Sequence, residues 1–272
     1  MSFDASGIAE LRPARAFSLE GMAAVVTGAA GGLGRWLAAG LGAAGAAVLA
    51  TDVDRARLED VVVTLRDAGV TAESVTVDLR DDDAPDRIVS ACLQRLGRLD
   101  VLVNNAGVNR RMPIHEMDRE TYDSIMDVNL RLPYFLTQAA ARAMKEGGAI
   151  VNISSINFTY GLEHISVYGP AKAGLSQLTR VMALEWAAAG IRANAIAPGY
   201  MDTPLAAPLW ADPDVSRWIM NRVPMKRPGR PSELVGLCQL LVSAAGSFIT
   251  GQTFVVDGGF IAGGRWFTPD AG

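Results

Sequence analysis

The sequence predicts an α/β fold in which a parallel sheet of seven strands is flanked by helices. Three observations support this. Short apolar runs of strand length alternate with longer segments of helical period. Of the 272 residues, 50% are hydrophobic, which is ample for a large core. No proline-rich or serine-rich linker and no internal repeat divides the chain, so we expect one domain.

The predicted strands are apolar runs bounded by glycine or polar residues. In chain order they occupy residues 23–27, 47–51, 73–77, 99–103, 149–153, 191–196 and 252–256. Helices are expected at 32–44, 55–68, 84–96, 119–145, 167–189 and 231–244. The alternation is typical of βαβ units.

Three further segments fall outside this alternation. Residues 1–18 contain acidic residues, lack the apolar run of a secretory signal and are predicted to be a flexible arm. Residues 263–272 form a predicted tail, which leaves 19–262 as the domain. The proline-rich segment 199–230 breaks the helical period and is predicted to be a substrate-binding insertion or lid.

Composition argues against several function classes. The net charge is -4 and no basic run is present, so we expect neither nucleic acid nor a membrane surface as a partner. The longest apolar stretch, 36–50, is too short to span a bilayer. Cys92 and Cys238 lie in predicted helices, which argues against disulfides and favours a reducing, cytoplasmic location. Neither His115 nor His164 has metal-ligand spacing, so no metal is expected.

A glycine-rich turn joins the first strand to the first long helix. The residues are Gly28, Gly31, Gly32, Leu33 and Gly34 in the run GAAGGLG. Glycines let the backbone approach a pyrophosphate, and a helix amino terminus offers N–H groups and a positive dipole end. Further along, Tyr168 and Lys172 stand four residues apart, on one face of a helix. An ammonium there would lower the phenol pKa and suit the phenol for proton transfer.

Four motifs together resemble the short-chain dehydrogenase/reductase superfamily. They are TGAAGGLG, NNAG at 104–107, Asn129 and the Tyr-x-x-x-Lys pair, and the likeness covers roughly residues 19–260. The resemblance implies a single-domain Rossmann-type doubly wound sheet of order 3-2-1-4-5-6-7. It also implies a nicotinamide dinucleotide, a small-molecule substrate and a homotetramer.

Asp52 ends the second strand, where a carboxylate can accept both adenosine ribose hydroxyls and repels a 2′-phosphate. We therefore expect NAD rather than NADP. Relatives that prefer NADP commonly carry a basic residue where this chain has Gly31. Arg35 and Arg55 are nearby, so NADP stays open.

The resemblance assigns the remaining cofactor contacts. Asp78, assisted by the Leu79 backbone, would bind the adenine. Asn104 and Asn105 would brace the strand at the switch point, and the turn through Ala106 and Gly107 would admit the cofactor. Past the sixth strand, the residues expected around the nicotinamide are Pro198, Gly199, Met201 and Thr203. VVDGG at 255–259 resembles the closing strand, expected at a tetramer interface.

The family's active serine lies thirteen residues before its tyrosine, which points to Ser155 and leaves Ser154 a structural or cofactor-side hydroxyl. Ser155 would donate a hydrogen bond to the substrate oxygen, and Tyr168 would exchange the proton. Lys172 would keep Tyr168 acidic and hold the nicotinamide ribose. Asn129 is unfavourable in mid-helix; the family implies a local helix distortion there, whose carbonyl holds a relay water.

The run VNRRMPIHEM after NNAG resembles the sugar-acid and polyol dehydrogenases of the family, particularly the gluconate 5-dehydrogenase and 2-deoxy-3-ketogluconate types. An arginine in this run could clamp a carboxylate. The candidate pocket residues are Arg110, Arg111, Asn157, His164, Tyr200, Trp210 and Trp218.

We therefore expect an NAD-dependent oxidoreductase that interconverts a secondary alcohol and a ketone on a polyol, sugar or sugar acid. Two alternatives stay open. One is an NADPH-dependent ketoreductase such as a 3-oxoacyl carrier-protein reductase, against which Asp52 argues. The other is a catalytically silent dinucleotide sensor, which would have no chemical need for the complete set of catalytic residues.

Overall fold

All seven predicted strands form in the computed structural model, which describes residues 8–9 and 11–264. They are β1 Ala23–Thr27, β2 Ala47–Asp52, β3 Ala72–Thr76, β4 Val101–Asn104, β5 Gly148–Ile153, β6 Ile191–Pro198 and β7 Thr253–Val256. Every pairing is parallel, and the order is β3-β2-β1-β4-β5-β6-β7. The order reverses between β1 and β4, so their carboxyl ends mark a ligand-binding crevice.

The helices connect successive strands and cover both faces of the sheet. They are α1 Pro13–Ala16, α2 Gly34–Ala43, α3 Arg55–Asp67, α4 Ala84–Leu96, α5 Arg119–Met126, α6 Leu132–Ala143, α7 Tyr168–Trp186, α8 Ala207–Ala211, α9 Pro213–Arg222 and α10 Val235–Val242. Among the described residues, no helix has both the length and the apolar character needed to cross a bilayer.

Two helix predictions need correction. The helix expected over 119–145 is interrupted by a π-helical turn, Asp127–Arg131, which separates α5 from α6. The helix expected over 231–244 begins instead with a 3-10 turn, Pro231–Leu234. A proline is tolerated at the first position of a helical segment, where its missing N–H would have no partner.

The core has two layers because alternate residues of β1 point to opposite faces of the sheet. Val26 packs in one cluster with Leu37 of α2, and Val25 packs in the other with Ile88 of α4 and Leu136 of α6. The sheet is therefore doubly wound, as predicted.

The segment predicted as an insertion is ordered into α8 and α9. It is held to the sheet by a third, smaller cluster that includes Ile156, Ile219, Val223 and Phe260. Within the predicted amino-terminal arm, α1 forms a single helical turn, and most of the predicted tail lies outside the described residues.

Candidate active site

The loop between β1 and α2 has a shape that requires glycine at two positions. Gly28 has a φ of +64°, and a Cβ there would lie 2.8 Å from the Ala106 Cα. A Cβ on Gly34 would collide with the Gly28 carbonyl oxygen. The loop therefore brings bare backbone, and the start of α2 at Leu33 and Gly34, to the crevice, which fits a pyrophosphate.

Thr27, which the sequence analysis did not single out, ties this loop to β4. Its Oγ1 accepts hydrogen bonds from the backbone N–H groups of Asn105 and Ala106, each at 3.0 Å. The Asn105 Nδ2 donates to the carbonyl oxygens of Thr27 at 2.8 Å and Gly28 at 3.1 Å. A buried threonine at a strand end, directly before a required glycine, is the signal that could have identified it.

Asp52, which is predicted to bind the adenosine ribose, supports the glycine loop. Its carboxylate accepts from the backbone N–H of Ala30 at 3.0 Å and of Asp54 at 3.1 Å. The two nearby arginines are bound to other groups of the protein. Arg35 donates to the carbonyl oxygens of Ala30 and Gly31, both at 3.1 Å, and Arg55 pairs with Glu59 at 2.8 Å.

Asp78, expected at the adenine, is held by Arg80. The Arg80 Nη2 lies 2.6 Å from the Asp78 Oδ2, and this hydrogen bond holds the pKa of Asp78 below its usual value. The adjacent Leu79 is buried. The carboxylate is thus kept charged and in a fixed position at the end of β3.

The segment after β6 closes over the glycine loop. Gly199 is required because a Cβ there would lie 2.6 Å from the Asp257 Cβ, and a Cβ on Gly32 would lie 2.8 Å from the Thr203 Cβ. Met201 is buried and bridges to Gly229. The glycine loop, predicted at the pyrophosphate, and the segment after β6, predicted at the nicotinamide, therefore line the same crevice.

The four predicted catalytic residues converge at the carboxyl ends of β4 and β5. Ser155 follows β5, Tyr168 and Lys172 begin α7, and Asn129 lies in the π-helical turn. The Lys172 Nζ donates to the Ile153 carbonyl oxygen at 2.9 Å and lies 5.6 Å from the centroid of the Tyr168 ring.

Asn129 is fully buried. Its Nδ2 donates to the carbonyl oxygens of Val108 and Ile125, both at 2.8 Å. Its Oδ1 has no hydrogen-bond partner and would lie 2.9 Å from a Cβ on Gly107, which itself would lie 3.4 Å from the Lys172 Nζ. A buried acceptor without a donor is costly. Its position between Gly107 and the Lys172 Nζ is consistent with a polar relay to Lys172.

Burial dominates the titration of the pair on α7. It lowers the pKa of Lys172 to about 7. It also raises the pKa of Tyr168, and a hydrogen bond with Ser155 and the positive charge of Arg111 offset this only in part. The low phenol pKa that was expected is therefore not found in the protein alone, because desolvation by burial is the largest effect on Tyr168.

The two neighbouring serines have different partners. The Ser154 Oγ donates to the Lys172 carbonyl oxygen at 3.1 Å and lies 2.8 Å from the Ser176 Oγ, which makes Ser154 structural. The Ser155 Oγ is directed to the crevice side, towards Asn157 at 3.1 Å and Tyr168.

The two candidate arginines act on different ionisable groups. The positive charge of Arg111 acts on Tyr168 and on Tyr200 and lowers the pKa of each phenol. Arg110 acts on Asp118, at the start of α5. His164 is exposed, has a φ of +66° and accepts the Met112 N–H through its carbonyl oxygen, so its backbone supports the arginine loop.

Aromatic side chains, here called the aromatic wall, pack in one cluster with Ile156, which directly follows Ser155. Tyr200 makes edge contacts with Phe260 at 5.1 Å and with Trp210 at 6.4 Å between centroids. Tyr160 contacts the same Phe260 at 5.2 Å. The Trp210 Nε1 is buried without a hydrogen-bond partner, whereas Trp218 stacks on Arg222. Tyr160 and Phe260 were missed because nothing local in sequence links them to the site.

No group of three or more His, Cys, Asp or Glu side chains suited to a metal occurs within the described ranges 8–9 and 11–264. Cys92 and Cys238 are buried in α4 and α10, and burial raises the pKa of each thiol to about 12. Neither thiol has the low pKa that a reactive cysteine requires.

A doubly wound sheet with a glycine-lined crevice and a Ser-Tyr-Lys group at its switch point defines the class of dinucleotide-dependent oxidoreductases. Residues 28–261 match the family model described as Enoyl-(Acyl carrier protein) reductase. The chain belongs to the short-chain dehydrogenase/reductase family and is an NAD(P)-dependent oxidoreductase.

Among curated relatives, the chain is similar to 2-dehydro-3-deoxy-D-gluconate 5-dehydrogenase of Escherichia coli K12, with 38% identity over 91% of this chain and 98% of that protein. It is 42% identical to cis-4-hydroxycyclohexanecarboxylate dehydrogenase of Sinomonas cyclohexanicum, over 88% of this chain and 96% of that protein. A crystal structure of a gluconate 5-dehydrogenase from Burkholderia cenocepacia, in complex with NADP and tartrate, superposes with a TM-score of 0.89 at 35% identity, covering 93% of this chain and 100% of that one.

Proposed function

We propose that the chain oxidises a secondary hydroxyl of a sugar acid, or reduces the corresponding ketone, with a nicotinamide dinucleotide. The observation that carries this proposal is the position of Arg111. Its positive charge lowers the pKa of both Tyr168 and Tyr200, and no ion pair or hydrogen bond of this side chain is found in the described part of the chain. A guanidinium without a protein partner beside a catalytic phenol is suited to a substrate carboxylate.

The residues divide the reaction between them. Ser155 donates a hydrogen bond to the substrate oxygen, and Tyr168 removes the hydroxyl proton during oxidation or returns it during reduction. Lys172, with a pKa of about 7, relays that proton towards the buried polar group at Asn129. A nicotinamide dinucleotide held by the glycine loop and the segment after β6 would accept or supply the hydride.

The names of the relatives support a hydroxy acid. One acts on 2-dehydro-3-deoxy-D-gluconate, and another is a gluconate 5-dehydrogenase crystallised with tartrate. Each of these molecules carries a carboxylate, which matches the role proposed for Arg111. The carboxylate anchors the substrate while Ser155 and Tyr168 select the hydroxyl.

A panel assay tests the proposal. Sugar acids, neutral polyols of equal chain length and cyclic alcohols are offered with NAD or NADP, and formation of the reduced dinucleotide is followed by absorbance. We expect kcat/KM for a sugar acid to exceed that for the matched neutral polyol by about tenfold, the value of one exposed charge-assisted contact. Equal kcat/KM values for the acid and the polyol would contradict the proposal.

The aromatic wall favours a second candidate substrate, an alicyclic hydroxy acid. Tyr200, Trp210 and Phe260 present ring surfaces near Arg111, and such surfaces suit an apolar ring more than a chain of hydroxyls. A relative with 42% identity is named for cis-4-hydroxycyclohexanecarboxylate. The same panel separates the two candidates when it includes cyclohexane hydroxy acids.

For the cofactor, the proposal is a preference for NAD over NADP. Asp52 places a carboxylate at the end of β2, and the guanidinium of Arg35 is already bound to the carbonyl oxygens of Ala30 and Gly31. A related structure is complexed with NADP, so the two dinucleotides must be compared directly. We expect Asp52→Ala to reduce the ratio of kcat/KM for NAD to that for NADP about tenfold, and an unchanged ratio would exclude this role.

The other readings have less support. A 3-oxoacyl carrier-protein reductase would prefer NADPH, which Asp52 disfavours. A silent dinucleotide sensor would not need the group formed by Asn129, Ser155, Tyr168 and Lys172. The cytoplasmic location stays a prediction.

A homotetramer is part of the proposal. Aromatic and aliphatic side chains on α5, α6 and α7 are exposed, and they are Tyr122, Tyr134, Phe135 and Leu184. Exposed apolar side chains on neighbouring helices favour contacts between copies. Light scattering coupled to size-exclusion chromatography should give four times the monomer mass of 28.8 kDa.

A further inference from the structure

Asn157 contacts the Ser155 hydroxyl through both its side chain and its backbone, which a residue that only lines a substrate pocket would not need to do. The Asn157 Oδ1 lies 3.1 Å from the Ser155 Oγ, and the Asn157 backbone N–H donates to the same oxygen at 3.2 Å. The Asn157 Nδ2 donates to the Tyr160 carbonyl oxygen at 3.0 Å. This last bond fixes the orientation of the amide, with its oxygen towards Ser155.

The hydroxyl of Ser155 has one proton and two acceptor sites. The Asn157 Oδ1 has no proton, so in that contact the hydroxyl must donate. The Asn157 N–H occupies one acceptor site. The Ser155 hydroxyl also forms a hydrogen bond with Tyr168 that lowers the pKa of the phenol, as donation to the phenolate does. Asn157 and Tyr168 therefore compete for the one proton of Ser155.

We propose that Asn157 is a positioning residue that holds the proton of Ser155 away from Tyr168 until a substrate oxygen competes for it. The inference rests on the catalytic roles proposed above for Ser155 and Tyr168. While Ser155 donates to Asn157, it cannot donate to the phenolate of Tyr168, so the protonated phenol is favoured. A bound substrate oxygen then accepts the hydrogen bond of Ser155 in place of the Asn157 Oδ1. The strength of the Ser155–Asn157 hydrogen bond sets how readily this exchange occurs.

The charged groups that act on Tyr168 are Arg111, from the loop after β4, and Lys172, one turn along α7. Substitutions at Asn157 change neither of them. A shift in the pKa of Tyr168 in such variants can therefore be assigned to the Ser155 proton or to the charge introduced at residue 157.

Two variants of opposite chemistry test the inference through the pH profile of kcat/KM for alcohol oxidation at saturating dinucleotide. Asn157→Leu removes the acceptor and frees the Ser155 proton to stabilise the phenolate, so the apparent pKa should fall by about one unit. Asn157→Asp keeps the acceptor and adds a negative charge, so the apparent pKa should rise by about one unit. Loss of packing alone would not move the two profiles in opposite directions.

Thr159→Val is the matched control, because Thr159 is exposed and directly follows the same 3-10 turn. Its profile should match that of the wild type. Dinucleotide binding by fluorescence titration verifies the fold of each variant, and Asn157→Ala, which also removes the acceptor, takes the place of Asn157→Leu if that variant does not fold.

Profiles of both Asn157 variants that coincide with the wild type, or that shift in one direction, would overturn the inference. Tyr168→Phe, assayed in parallel, separates this failure from failure of the proposed function. Full turnover in Tyr168→Phe would refute the catalytic assignment itself, whereas lost turnover there with unshifted Asn157 profiles refutes the role of Asn157 alone.

Discussion

The two sides of the crevice are built in different ways. The proposed cofactor side, which comprises the loop 28–34 and the strand end 104–107, is shaped by backbone atoms in close contact, with glycines where a Cβ would clash. The proposed substrate side, which comprises Arg111, Asn157 and the segment 199–222, is shaped by side chains from distant parts of the chain. Close backbone contacts require glycines at particular positions, and these can be recognised in the sequence. Side chains that come together from distant parts of the chain give no such local pattern.

The largest expected effect is on the chemical step, which takes place between the two sides. Tyr168→Phe removes the exchangeable proton but keeps the ring, so turnover should fall by about 10³-fold, as expected for loss of a general acid or base. Dinucleotide binding, measured by fluorescence titration, should persist because the cofactor side is unchanged. A variant that keeps near wild-type kcat would show that another group transfers the proton.

A glycine substitution tests the cofactor side. Gly34→Ala places a Cβ against the Gly28 carbonyl oxygen and 2.7 Å from the Asn105 Nδ2. Forced overpacking of this kind should lower the free energy of unfolding by about 3 kcal/mol and weaken dinucleotide binding. Gly236→Ala in α10 is the control, since a Cβ there meets no atom within 4 Å. It should be neutral or slightly stabilising in denaturant unfolding, and equal losses in both variants would argue against a specific role for the loop.

The buried lysine gives a smaller, pH-dependent effect. The pKa of Lys172 is about 7 in the folded protein, against about 10.4 in an unfolded chain. Between these values the unfolded chain binds the additional proton, so the free energy of unfolding should rise with pH from about 7 to 10. Lys172→Met should reduce this slope and stabilise the protein by about 2 kcal/mol at pH 7 while lowering kcat. Denaturant midpoints across this pH range provide the measurement, and a slope identical to the wild type would contradict it.

The strands could be predicted from the sequence because the residue patterns that indicate a strand are local. Each strand was placed to within two residues at either end, and the glycine loop followed from spacing alone. The family resemblance implied a helix distortion at Asn129, and a π-helical turn is found there. These features depend on residues close together in the chain.

What the sequence did not predict depends on tertiary contacts. The prolines of 199–230 concealed α8 and α9, since proline is tolerated in a first helical turn as well as in loops. The raised pKa of Tyr168 follows from burial, which spacing cannot reveal. Arg110 and Arg111 are adjacent in sequence, yet only Arg111 acts on the catalytic tyrosine.

On the proposed substrate side, Arg111 recognises a carboxylate independently of the cofactor side. This is tested by measuring the KM for a hydroxy acid in Arg111→Ala and Arg110→Ala, together with the Kd for the dinucleotide. We expect Arg111→Ala to raise the KM about tenfold and Arg110→Ala to change it less than about twofold, with the Kd unchanged in both variants. Equal KM values in the two variants, or a rise that also appears with a neutral alcohol, would contradict it.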